Sequence, residues 1–169
     1  MPKPIYVLNG PNLNRLGKRE PEIYGTTTLA EVAAMCREAA GGHPVEFRQS
    51  NAEHELVDWI HEAIDHGAGI VINPAGLTFR SIPIMDALKM FPGPVIELHI
   101  SNIHRREEIY HHSLMSRAAT AVMMGFGADG YPTAVSAMLR MLDKTRRRTK
   151  PAVKRRPRAS PRRAGRAAR

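Results

Sequence analysis

Glu97 and His99 stand two residues apart in a run that is otherwise apolar: Val95, Ile96, Leu98 and Ile100. On a β-strand such positions share one face, so the carboxylate and the imidazole point the same way. A charged pair in a buried strand is costly unless its members are paired and hydrogen-bonded. A carboxylate beside an imidazole orients the ring and favours its protonated form, which suits a general acid; a satisfied structural pair is the competing reading. Tyr24 offers the opposite tool. A free phenol titrates near pH ~10, and a neighbouring cation lowers that by about one to three units. Arg15, Lys18 and Arg19 share its segment. A phenolate base facing an imidazolium acid is the layout of an elimination: a proton acidified by a carbonyl is removed and a departing hydroxyl is protonated. Loop tyrosines and arginines also serve as plain surface groups, and these residues alone do not separate the two readings.

The elements that must position these groups are legible from periodicity. Tyr24 lies near the end of a stretch, 9–25, with no helical or strand period. Connections in compact domains are usually about 4–6 residues, so a loop of this length is functional or disordered. Gly10, Pro11, Gly17, Pro21 and Gly25 shape it as turns, and Asn12, Arg19 and Tyr24 give it chemistry. It is expected to be a lid. Residues 4–9, 44–49, 68–73, 94–99 and 119–125 read as short strands.

Helices are expected between the strands. Thr28-Leu29-Ala30-Glu31 is a capping box for a helix to about residue 40, and Ser50-Asn51-Ala52-Glu53 reads as a second one. A third helix begins at Ser81, a short polar one lies around 105–112, and an amphipathic one spans 130–143. Strands alternating with helices predict an α/β domain with a five-stranded parallel sheet, helices on both faces, in the flavodoxin-like order 2-1-3-4-5. In that order, ligands bind beyond the carboxyl ends of strands 1 and 3, with strand 4 adjacent. Asn9, Asn12, Asn73, Glu97 and His99 fall at that place.

At 169 residues the chain has a one-domain length. It has no apolar run long enough to span a membrane and no targeting pattern at its start, so a soluble cytoplasmic protein is expected. The single cysteine, Cys36, excludes an internal disulfide and lies on an apolar helical stripe, where packing is its expected role. The net charge of +9 is unevenly placed. Of 25 Lys and Arg, 13 lie in 144–169 without an acidic residue, leaving 12 against 16 acidic residues in 1–143. The chain therefore divides into a folded body, 1–143, and a basic Arg/Pro/Ala tail, 144–169, expected to be disordered. The tail fits electrostatic contact with nucleic acid or another polyanion, or a solubilising role. His104, His111 and His112 lack the ligand spacing of a metal site.

The segments LNGPNLNRLGKREPEIYG, RQSNAEHELVDWIHEA, NPAGLT and IELHISNIHRREE resemble the type II 3-dehydroquinate dehydratases over about residues 4–143. The resemblance implies dehydration of 3-dehydroquinate, a small hydroxylated keto acid, to 3-dehydroshikimate in shikimate or quinate metabolism. It also implies a homo-oligomer, a dodecamer made of trimers, with no metal or cofactor. By position it makes Tyr24 the base and Arg19 the group that holds it as tyrosinate. Asn12 would hold a water against the enolate oxygen, and His99, placed by Glu97, would be the acid. Asn73, Ile100 and Ser101 would bind the ring and its carboxylate, and Asp86 would reach a neighbouring subunit's site.

Two positions depart from the family pattern. Phe79 stands where a substrate-binding His is usual, and Tyr110 where an Arg is usual. Arg80 is a candidate replacement for the missing cation. These departures leave open a related elimination on a different hydroxylated keto acid. The tail leaves open a scaffold that binds polyanions.

Overall fold

The computed structural model describes residues 1–18 and 21–149, apart from the side chains of Pro21, Tyr24, Arg146, Arg148 and Thr149. Five parallel strands form one sheet: β1 (Ile5–Asn9), β2 (Val45–Gln49), β3 (Gly69–Asn73), β4 (Val95–His99) and β5 (Ala121–Met124). Their order is β2-β1-β3-β4-β5, as the alternating pattern predicts. The helices are α1 (Pro21–Tyr24), α2 (Leu29–Ala39), α3 (Glu53–His66), α4 (Ile82–Met90) and α5 (Gly130–Thr149). Among the described residues, no helix is long and apolar enough to cross a membrane.

Strand alternation divides the core into two layers. Ile5, Val7, Val71, Ile96 and Leu98 pack against α2 and α5 through Val32, Cys36, Ala134, Val135 and Met138. Tyr6, Leu8, Ile70, Ile72 and Val95 face α3 and α4, meeting Leu56, Ile60, Ile84 and Leu88. β1, β3 and β4 are buried along their whole length, which is why none alternates with polar residues. In the register Asn9 lies opposite Asn73, so two amides end adjacent central strands at one rim of the sheet.

Several local expectations change. The box at Thr28 forms, with Thr28 and Glu31 each capping the other's backbone. The one at Ser50 does not: Ala52 occupies the cap position, and its methyl group cannot accept a capping bond. Ser50 instead accepts from the Ala52 amide at 2.9 Å and donates to the Glu55 carboxylate. Asn51 is drawn away, its Oδ1 accepting from the Asn12 amide at 2.9 Å and from Gln49 at 3.1 Å. The polar helix expected around 105–112 is two 3-10 turns, Ile103–Arg105 and Glu108–Tyr110. Neither carries the wide apolar stripe that would stabilise a longer amphipathic helix.

Helix α5 runs six residues past the expected end at 143. Lys and Arg are good helix formers, cations suit a helix C-terminus, and the first proline beyond it is Pro151. Residues 144–149 are therefore helical rather than part of a disordered tail; the remainder of the expected tail, 150–169, lies outside the described residues.

The stretch 9–25 is not structureless. Leu13–Arg15 forms a 3-10 turn, and Leu13 and Leu16 are buried in the layer under α2. Fully burying a leucine contributes roughly 1.5–3 kcal/mol, so these two anchor the loop's first half. Gly17 then turns with φ +84°, and a Cβ there would meet the Thr26 carbonyl. A residue with a side chain is disfavoured on both counts.

Candidate active site

A cavity of about 260 Å³ opens at the carboxyl rim of the sheet. Asn12, Asn73, His99, Ile100, Ser101, Phe79 and Tyr110 are among the residues that line it. Gly10 allows the rim to close: its amide donates to the Asn73 carbonyl at 2.8 Å, and an added Cβ would lie 2.3 Å from the Pro74 carbonyl oxygen. Only glycine lets β1 and the β3 loop approach this closely. Asn12 adopts φ +69°, a left-handed conformation that asparagine tolerates better than most residues. Ala75 takes φ +52° on the cavity wall, a backbone strain of the kind found at functional sites.

Glu97 is fully buried and His99 nearly so, on the α3/α4 face of β4. Glu97 Oε1 accepts from His99 Nε2 at 2.7 Å and from the Ser113 hydroxyl at 2.5 Å; Oε2 accepts from Ser116 at 2.6 Å. Burial pushes the Glu97 carboxyl up. The bonds from His99, Ser113 and Ser116, together with the His99 charge, more than offset this and hold it below the usual carboxylate range. With Nε2 engaged, Nδ1 is the ring nitrogen left for a ligand. Glu97 thus stands behind His99 rather than in the cavity. Ser113 and Ser116 were not legible as site residues, because nothing distinguishes a serine pair three apart from ordinary turn residues.

A second polar group lies on the other face. The Tyr131 hydroxyl, fully buried on α5, donates to Asn9 Oδ1 at 2.7 Å and accepts from Asn73 Nδ2 at 3.0 Å. Asn73 Oδ1 accepts from the Ala75 amide at 3.2 Å, and Asn9 Nδ2 donates to the Arg48 carbonyl at 2.9 Å. Burial pushes the Tyr131 phenol well up, against the lowering effect of its Asn73 bond, so it remains a neutral donor. The network sets the angle of the Asn73 amide at the cavity floor.

The two residues that depart from the family pattern touch each other. The Tyr110 ring meets Phe79 edge-on, centroids 5.3 Å apart, and Phe79 stacks over His99 at 6.4 Å and 19°. Arg106 places its guanidinium 4.1 Å above the Tyr110 ring and also lines the cavity. Among the described residues it, not the exposed Arg80, is the cation of this wall. Asp86 is on the outer side of α4, exposed and 3.7 Å from Lys89, and does not line this cavity. Arg19 and the Tyr24 side chain lie outside the described residues.

The family described as dehydroquinase class II matches residues 3–139. The chain belongs to the type II dehydroquinases. A curated 3-dehydroquinate dehydratase of Streptomyces avermitilis is 59% identical over 135 residues, 78% of this chain and 85% of that protein. One from Methylobacterium radiotolerans is also 59% identical, over 133 residues, covering 78% and 89% of the two chains. The crystal structure of type II dehydroquinase from Propionibacterium acnes superposes with a TM-score of 0.78 at 49% identity, over 81% of this chain and 96% of that one. In this type II dehydroquinase fold the carboxyl rim that carries the cavity falls where the strand order reverses.

Proposed function

We propose that this protein is a hydro-lyase that converts 3-dehydroquinate to 3-dehydroshikimate. The observation that carries the reading is the buried Glu97–His99 pair opening onto a cavity floored by Asn12 and Asn73, in a chain of this family. A base removes the proton on the carbon next to the ketone, and the electron pair moves onto oxygen as an enolate. His99 then gives its proton to the departing hydroxyl, which leaves as water, and the enolate electrons form the carbon–carbon double bond of the enone. Proton transfer of this kind contributes about 10²–10⁴-fold to rate.

Tyr24 is the base in this reading, with Arg19 favouring its anion. Asn12 holds a water at the enolate oxygen, Asn73 and Ile100-Ser101 bind the ring and its carboxylate, and Glu97 keeps the acid in place. Asp86 faces outward, which suits a reach toward a neighbouring subunit. The reading extends to a cytoplasmic dodecamer of trimers serving shikimate or quinate metabolism. It includes polyanion contact through the basic residues of 144–169, of which 13 are Lys or Arg. Purified protein is expected to turn 3-dehydroquinate into a product absorbing in the near ultraviolet. A folded sample that yields no such signal at high enzyme concentration overturns the assignment.

One observation favours a second reading of the substrate. The wall at Phe79 and Tyr110 presents ring edges, one phenol and the Arg106 guanidinium stacked on it, where a hydroxylated ring would seek several polar partners. Elimination from a keto acid with fewer hydroxyls on that side fits this wall. Comparing kcat/KM for 3-dehydroquinate and its deoxy analogues decides between the two.

A further inference from the structure

The turn that precedes β5 is built around the Glu97 carboxylate. Ser113 and Ser116 approach it from a segment that shares no strand or helix with the acid, and they reach both carboxylate oxygens. Ser113 Oγ also accepts from the Ser116 amide at 3.2 Å, so the two serines brace each other. Their turn is held from two sides. Met115, between them, is fully buried in the α3/α4 layer, and the Leu114 amide donates to the Thr78 carbonyl at 3.0 Å, next to Phe79.

We propose that Ser113 and Ser116 are positioning residues of the reaction, acting through Glu97 to keep its carboxylate ionised and His99 aligned on Nε2. The proposal rests on the reading of His99 as the acid. Its physical basis is the competition for one proton between two buried groups 2.7 Å apart. A Glu–His pair in an apolar layer has two arrangements, charged and neutral, and they titrate as a unit. Low dielectric favours the neutral arrangement, in which Glu97 holds the shared proton and the Nδ1 proton belongs to a neutral imidazole, a far weaker acid than imidazolium. Two hydroxyl donors on the carboxylate stabilise only the charged arrangement. A proton on either Glu97 oxygen would displace or reverse one of those bonds.

Among the described residues, His99 is the only charged group that acts on Glu97. Asn73 of β3 and Asn12 of the loop share the cavity with His99 as neutral amides, Phe79 is apolar, and Arg106, also on the cavity lining, lies over the Tyr110 ring. The serines therefore hold the charge state of the acid, and their loss is expected to move the pH dependence of turnover as well as its size.

The test uses full-length Ser113→Ala, Ser116→Ala and the double variant, with His99→Ala as the control for the acid itself. Each single change is expected to lower kcat on the order of tenfold, and the pair about a hundredfold, with KM little changed. The basic limb of the kcat profile, which reports loss of the pair's shared proton, moves to higher pH, because Glu97 without its hydroxyl donors gives up that proton less readily. Ser113→Thr and Ser116→Thr, which keep the hydroxyl, recover much of the loss. Nitrogen NMR of ligand-free protein is expected to show the His99 ring shifting from imidazolium toward neutral imidazole in the double variant.

A double variant with an unchanged pH profile and an unchanged His99 signal overturns the proposal, even if kcat and melting temperature both fall. If His99→Ala retains activity, the acid assignment fails instead. The NMR readout needs no turnover, so it separates the two failures.

Discussion

Two polar networks with buried centres lie at the same rim of the sheet, on opposite faces, and they differ in what they leave unsatisfied. Asn9, Tyr131 and Asn73 form a neutral set in which the phenol both donates and accepts and each amide oxygen has a donor. Glu97, His99, Ser113 and Ser116 form a charged set whose bonds all converge on one carboxylate, leaving His99 Nδ1 for the cavity. Asn9, Asn73, Tyr131, Glu97 and His99 are all buried to a similar degree, whereas Ser113 is half-buried and Ser116 exposed. Burial of the central groups alone therefore does not separate the network proposed to react from the other. The mark is a charge that needs several donors to persist and a titratable group with one side unused.

The sharpest way to break this comparison is to remove one member from each network. His99→Ala is expected to lower kcat by about 10²–10⁴-fold with the fold retained, measured as enone formation. Tyr131→Phe leaves Asn9 Oδ1 and Asn73 Nδ2 without a buried partner, at a cost of about 1–3 kcal/mol in unfolding free energy. Its kcat should fall far less than that of His99→Ala. Equal losses of turnover from the two would erase the distinction.

Gly10→Ala tests the rim that both networks share. Its Cβ would collide with the Pro74 carbonyl. Because backbone cannot swing aside as a side chain can, β1 and the β3 loop must separate. A loss of several kcal/mol in denaturant unfolding is expected, within the range of severe steric substitutions, along with reduced turnover. A variant of wild-type stability would show that the rim is softer than its geometry implies.

Smaller effects sharpen the contrast between polar floor and aromatic wall. Phe79→His and Tyr110→Arg act on rings in contact, so their effects on kcat/KM for 3-dehydroquinate should be coupled by about 0.5–3 kcal/mol. Strict additivity in a double-mutant cycle would mean that the two rings act separately.

The smallest expected effects are in pH dependence. Glu97 is held below its ordinary pKa, so its contribution to stability is present above the unfolded carboxylate value and is lost as pH falls through the folded one. Tyr131 is raised, so its contribution is complete below about pH 10 and declines as pH rises beyond that. Melting curves of Glu97→Gln should show a flatter acid limb than wild type, while Tyr131→Phe leaves that limb alone.

Most of the frame was legible because it is written in short-range patterns. Five short apolar runs, each followed by a helical period, dictate parallel pairing, and the observed order is the expected one. The Glu97–His99 pair was legible for the same reason: residues i and i+2 share a strand face whatever surrounds them. Local reading erred at Ser50, which does not cap α3 but binds the Ala52 amide and the Glu55 carboxylate, and after Asp143, where cationic residues continue α5.

By itself, then, the sequence determined the sheet, the rim where a ligand is expected, the Glu97–His99 pair, and the family. Only the tertiary structure decided what completes them. Tyr131 is 122 residues from Asn9 and becomes its partner only when α5 packs across β1 and β3. Ser113 and Ser116 reach Glu97 only because Met115 buries between them. Phe79 and Tyr110, two separate departures in the sequence, form one wall in space. Strand and helix periods act over a few bonds and can be read along the chain, whereas a buried charge depends on whichever distant donors the fold delivers to it.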